Sequence, residues 1–227
     1  MNDPGEIIKS GAGEKIADLF NKLAGPLAEE IGLMLGDTVR VYRVKNLIKT
    51  TQKTQRLLQE AGLSANAVPP RLLLPIMEAS SLEDNETLQD MWAGLLATAS
   101  QDTDALSPSF VETLKQLTPD EARYLQQMHD NHSRGIGGSP WVRRSSLTWG
   151  IPPDASFDTY ERLGLIRREY ELTGLSPEDR FNLDRVVLRE LDYRYKLTDY
   201  ALKFMQASQG PSAAGSESDA TTHKSDQ

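Results

Sequence analysis

The stretch Glu86–Ala99, ETLQDMWAGLLATA, limits what this chain can become more than any other part of it. Leu88, Met91, Trp92, Leu95 and Leu96 recur at the three- and four-residue steps of an α-helix and form one broad apolar stripe. A stripe that wide has to be covered by other elements, so the chain is expected to build a multi-helix bundle around it. Asp84 or Asn85 is placed to cap the start of this helix. Trp92, central in the stripe, reads as a core anchor and not as a ligand-binding residue.

The rest of the first half is punctuated like a helical protein. A first helix is expected over about 13–23, with Ile16, Leu19, Phe20 and Leu23 on one stripe. Gly25-Pro26 breaks it and starts a second, to about Gly36, with Pro26 at its first position. A long third helix covers about 38–61 and ends at Gly62. On it Val41, Val44, Ile48, Gln55 and Leu58 share a face, and Lys45, Lys49, Lys53 and Arg56 lie opposite. Pro69-Pro70 interrupts, and a fourth helix covers about 71–80. Ser107-Pro108 opens a sixth, carrying Phe110, Val111, Leu114 and Leu117. Thr118-Pro119-Asp120-Glu121 opens a seventh as a capping box.

After Asn131 the texture changes. Gly135, Gly137 and Gly138 make a loop, and 155–163 reads as a short helix. The segments 165–170 and 193–197, rich in aromatic and aliphatic residues, read as strands. Between them, 171–191 is expected to be a short helical or irregular insertion. Thr198-Asp199 caps a final helix with Ala201, Leu202, Phe204 and Met205. The end of the chain, 208–227, is rich in Ser, Ala and Gly with no large apolar residue, and reads as a disordered tail. The expected organisation is mostly α: a helical bundle over 1–117, a small α+β winged-helix-like domain over 118–207, then the tail.

Composition excludes several chemistries. With no cysteine there is no disulfide framework, thiolate metal site or cysteine nucleophile. The three histidines include only one close pair, His129 and His132, too few for a three-histidine zinc site. The GIGG segment at 135–138 lacks the Gly-Lys-Ser/Thr ending of a phosphate loop. No Ser-His-Asp arrangement, His-Glu-x-x-His or Gly-x-Ser-x-Gly is present. We therefore expect no enzyme activity, no cofactor and no metal. The absence of a secretory leader and of any long apolar run points to a cytoplasmic protein without a transmembrane segment.

Two stretches carry a family likeness. One is AGPLAEEIGLMLGDTVRVYRVKN, followed by LLPIMEASSLEDNETLQDMWAGLLATAS; the other is YERLGLI, followed by YKLTDYALKF. In this order they resemble the bacterial abortive infection alpha family, and the resemblance spans about Gly13 to Ala207. It implies a setting in phage resistance and supplies no catalytic residues. The second stretch also looks like the end of a winged helix, although its wing would exceed twenty residues, longer than a usual hairpin loop.

Three sets of residues then compete for a functional role. Ala24, Ala28, Gly32 and Gly36 recur every four residues and make a ridge of small side chains suited to close helix contact. That ridge reads as tight packing against a neighbouring soluble helix, or as a membrane-active effector lying on a bilayer, for which Glu29 and Glu30 would be costly. Lys45, Lys49, Lys53 and Arg56 form a basic face open to an anionic partner such as lipid or RNA. Arg143, Arg144, Arg167 and Arg168 are the cations a winged-helix transcription regulator would set against DNA. Against that regulator stand a net charge of −8 and an acidic recognition helix, DASFDTYERLG. The reading favoured here is a non-enzymatic phage-defence protein whose partner is another protein, from phage or host, or a second copy of itself.

Overall fold

In a computed structural model of the chain, the described residues are 18–19, 21–23, 40–135, 142–143, 154–170, 193–211. The protein is mostly α. It divides into two compact units, Met1–Pro119 with Gln206–Gln227, and Asp120–Met205.

The first unit is built on three long helices: α1 (Arg40–Glu60), α2 (Pro70–Leu82) and α3 (Glu86–Gln101). A shorter α4 (Pro108–Leu114) packs on α2 and α3. Asn85 caps α3, its Oδ1 accepting from the backbone N–H of Thr87 at 3.0 Å and Leu88 at 3.3 Å. Ser107 does the same for α4. The core is the stripe expected from the sequence: Leu88, Met91, Trp92, Leu95 and Leu96 are buried, with Leu72, Leu73 and Ile76 from α2 and Phe110, Val111 and Leu114 from α4. Leu19 and Leu23 are buried as well, and the Val68 N–H donates to the carbonyl of Leu23.

Helix α1 departs from the sequence reading. The face of Val44, Ile48 and Gln55 is only half-buried, and the buried residues are Asn46, Leu47, Thr50, Thr51, Thr54 and Leu58. Periodicity favoured the more apolar stripe. The structure instead turns inward a stripe of small hydroxyl and amide side chains, which allows α1 to approach Ala93 of α3 closely.

The second unit comprises α5 (Pro119–Ser133, from Asp120), β1 (Val142–Arg143), α6 (Asp154–Arg162), β2 (Ile166–Tyr170), β3 (Tyr193–Leu197) and α7 (Asp199–Gln209) as far as Met205. The strands form one antiparallel sheet in the order β1-β3-β2, with Ile166 opposite Leu197 and Arg168 opposite Tyr195. Strand β1 was not foreseen, because two residues are too few to show an alternation. Gly164 leaves α6 at φ 70°, a left-handed turn closed by the Leu165 N–H on the Tyr160 carbonyl. Thr198 ties that turn to α7: its hydroxyl lies 2.6 Å from the Gly164 carbonyl and 3.1 Å from the Ala201 N–H. Phe157, Tyr160, Leu165, Tyr195 and Phe204 fill the core. Tyr160 donates to the Glu121 carbonyl at 2.7 Å, and burial pushes the hydroxyls of Tyr160 and Tyr195 upward from the ordinary tyrosine range.

Two expected boundaries move. The sixth expected helix ends at Leu114 and not at Leu117, whose N–H closes a tight turn on the Leu114 carbonyl. The final helix runs to Gln209, past the expected start of the tail, because Ser208 is buried against α3. The tail from 212 onward, the insertion at 171–192 and the second expected helix at 26–36 lie outside the described residues.

Candidate interaction surfaces

The most distinctive arrangement is the polar seam by which α1 docks. Asn46 donates through Nδ2 to the Ser81 carbonyl at 3.1 Å, and Arg43 Nε donates to Ser81 Oγ at 2.9 Å. One turn pair further on, the Thr54 hydroxyl lies 3.2 Å from the Ala93 carbonyl of α3 and 3.0 Å from the Thr50 carbonyl of its own helix. Gln89 of α3, fully buried, donates to the Glu83 carbonyl at 2.8 Å. Among the described residues, Thr50 Oγ1 and Gln89 Oε1 are buried without a hydrogen-bond partner. At the outer edge, Tyr42 donates to the Leu82 carbonyl; both side chains are exposed, Tyr42 at 40% and Leu82 at 55%.

The basic face expected on α1 is largely engaged by the chain's own carboxylates. Lys53 lies 2.6 Å from Glu86 and 2.8 Å from Asp90, and only 14% of its side chain is exposed. Lys49 reaches Glu86 at 3.3 Å, and Arg56 reaches Glu60 at 3.9 Å. Lys45 is exposed. The hydrogen bonds from Lys53 and Lys49 hold the Glu86 carboxyl below its ordinary range.

In the second unit, alternation along β2 puts Arg168 on the same side of the sheet as Ile166, Tyr195 and Leu197. Its side chain is 6% exposed, with Nη2 at 2.6 Å from Asp158 and 2.8 Å from Glu161 of α6. The sequence reading set Arg168 among the possible nucleic-acid contacts of a DNA-binding alternative; in the structure it joins sheet to helix as an internal clamp. Arg167, on the other side of β2, is exposed. Arg143 lies in β1 opposite Arg194, while Arg144 lies outside the described residues. So do Ala24, Ala28, Gly32 and Gly36, the small-residue ridge. Trp92 is 2% exposed and sits in the core as expected.

Sequence reasoning missed Gly94. A Cβ there would overlap the backbone carbonyl of Ser208, and Gly210 lies beside it, against Leu57 of α1. Gly94 therefore makes the notch in α3 that receives the last turn of α7, and Thr98 fixes that turn by donating to the Ala207 carbonyl at 2.9 Å. A lone glycine in a strong helical stripe was the available signal. His129 and His132 belong to no cluster suited to a metal ion among the described residues, where no group of three His, Cys, Asp or Glu was found. No helix among those residues is long and apolar enough to cross a membrane.

No curated protein and no solved structure matches the chain. The sequence does match a family profile described as abortive infection alpha, over residues 42–208, from the start of α1 to the last turn of α7. That span takes in both the polar seam and the Arg168 clamp, and by it the chain belongs to the abortive infection alpha family.

Proposed function

We propose that this is a phage-defence protein that performs no chemistry of its own and acts through protein–protein contacts in the bacterial cytoplasm. Membership in the abortive infection alpha family carries the reading. The form of the surfaces supports its second half. Of the cations expected to meet phosphate or lipid, Lys49, Lys53 and Arg168 are already matched to Glu86, Asp90, Asp158 and Glu161. Among the described residues of the first unit Tyr42, Leu63 and Leu82 are the exposed large apolar side chains, and Tyr42 and Leu82 are joined by a hydrogen bond; an exposed aromatic of this kind is common in protein contacts. The partner on this reading is a phage component, a host protein or a second copy.

The second unit is read as winged-helix-like, on the order α5, β1, α6, β2, β3 and on the sheet order β1-β3-β2. With its arginine clamped and an acidic α6, that module is used for packing or protein contact.

The test is a phage panel on cells carrying the gene, scored for plaques and for host survival at low and high multiplicity. The expected result is fewer plaques together with death of the infected cells. Tyr42→Ser with Leu82→Ser should abolish protection while leaving the melting temperature close to the parent's. Purified protein that turned over nucleotides, nucleic acid or NAD above contaminant rates would overturn the non-enzymatic reading.

A further inference from the structure

Helix α1 is the longest of the described helices, at 21 residues, yet within the first unit it buries the fewest large apolar side chains. Its fully buried large apolar side chains are Leu47 and Leu58. The shorter α2 buries Leu72, Leu73, Ile76 and Met77, and α3 buries Leu88, Met91, Trp92, Leu95 and Leu96. Between Leu47 and Leu58 the docked face of α1 is Thr50, Thr51 and Thr54. The Thr50 hydroxyl on that face, and the Gln89 amide oxygen of α3, are buried with no hydrogen-bond partner among the described residues. A buried polar atom left unmatched favours any state that returns it to solvent. The remaining ties of α1 are the hydrogen bonds of Tyr42, Arg43 and Asn46 to the end of α2 and of Thr54 to Ala93 of α3, and the ion pairs of Lys49 and Lys53 with Glu86 and Asp90, whose carboxylates are more than half exposed and whose attraction salt screens.

We infer that α1 is a releasable helix: it undocks from α2 and α3 while those two remain folded on α4, and this opening is the step that takes the protein from its resting to its acting state. The first half stands on the seam alone. The second rests on the reading of the protein as a defence protein working through contacts. The geometry suits such a device. Opening rehydrates Thr50, Asn46 and Ser81 together, while α2 and α3 keep their packing on each other and on α4. It also separates Lys53 from Glu86 and Asp90, so higher ionic strength shifts the balance toward the open form. Elements that move in signalling are drawn from the least stable part of a fold.

Hydrogen exchange on the purified full chain tests the opening. Amides of residues 47–58 should exchange at least about 30-fold faster than those of residues 91–97, with a denaturant dependence shallower than that of residues 91–97, and accelerated by salt. Thr50→Val removes the unmatched hydroxyl at nearly constant shape. It should slow α1 exchange by about 5- to 10-fold, leave α3 exchange unchanged, and reduce phage protection in cells. Thr50→Ser keeps the hydroxyl, drops a methyl and should speed α1 exchange, so the inference stays testable if the valine variant folds poorly. Exchange of α1 and α3 at one common rate would overturn the release. Slowed α1 exchange in Thr50→Val with undiminished protection would overturn its role in the acting state. A parent protein that gives no protection against any phage would instead defeat the defence reading, with the exchange pattern still deciding the release.

Discussion

At Gly94 the chain has no room for a methyl group. The missing Cβ is replaced by the backbone of Ser208, and the last turn of α7 lies in the gap. Two opposing effects act on Gly94→Ala. Alanine favours a helix interior by about 1 kcal/mol over glycine. Displacing backbone from a filled notch costs roughly 1–3 kcal/mol, and here the obstacle is a carbonyl that cannot rotate away. The steric effect should win, and urea unfolding should show a lower midpoint for Gly94→Ala than for the parent. A midpoint at or above the parent's would mean that the α7 turn does not sit in the notch. Glu86 offers a pH test at the same scale. Its carboxyl is held low by Lys53 and Lys49, so its contribution is present in full above the ordinary glutamate value of 4.5. It is lost as pH falls through the lowered value. The stability difference between the parent and Glu86→Gln should therefore be measurable at neutral pH and vanish on acidification. The carboxylate is exposed, so the difference should stay below about 1 kcal/mol. A difference that grew on acidification would place Glu86 elsewhere.

Among the elements, the clamp of α6 on the sheet depends on one side chain. Arg168 projects from the core side of β2 and joins Asp158 and Glu161, one turn apart on α6. Arg168→Leu keeps the apolar stem and leaves two carboxylates facing each other without a cation. The expected cost is about 1–2 kcal/mol, discounted because both carboxylates are substantially exposed. Arg168→Lys should recover part of it, since an ammonium supplies the charge without the planar fork. Denaturant melts of the three proteins decide the order. The same clamp shows how far the sequence could be read. Strands 166–170 and 193–197 and helix 154–162 were legible from periodicity and from Gly164. The parity of Arg168 with Ile166 was legible too, but a pair of arginines in a winged-helix-like pattern drew attention to charge instead of to alternation. Helix α3 and its Asn85 cap were plain because a wide apolar stripe has one stable solution. The docked face of α1 was not, because threonine and asparagine count as polar in any periodicity test. Their burial is set by how closely α1 approaches Ala93, which only the tertiary structure determines. The Gly94 notch escaped for a related reason: its partner lies more than a hundred residues away in the chain.

For the molecule as a whole, the sharpest question is whether the second unit touches nucleic acid. Three observations argue against it. The net charge is −8, so the long-range field repels a polyanion. Helix α6, which would enter a groove, exposes Asp158 and Glu161 beside a single cation, Arg162. Arg168, one of four arginines suited to phosphates, is 6% exposed and already joined to two carboxylates. Phosphate contacts supply most of the affinity of duplex binding, and each contact makes binding fall more steeply with salt. With Arg168 already paired, the described part of the unit has one cation fewer with which to build even non-specific affinity. In a gel shift with random duplex, the protein should leave the DNA unshifted at physiological salt and at tens of micromolar protein. Lowering the salt to about 50 mM should gain little, because few counterions would be released on binding. Neutralising Arg143, Arg144 and Arg167 together should change nothing in that assay. A salt-sensitive shift abolished by that triple substitution would instead show a duplex-binding surface on the second unit, and the defence protein would have to be read as a regulator that acts on DNA.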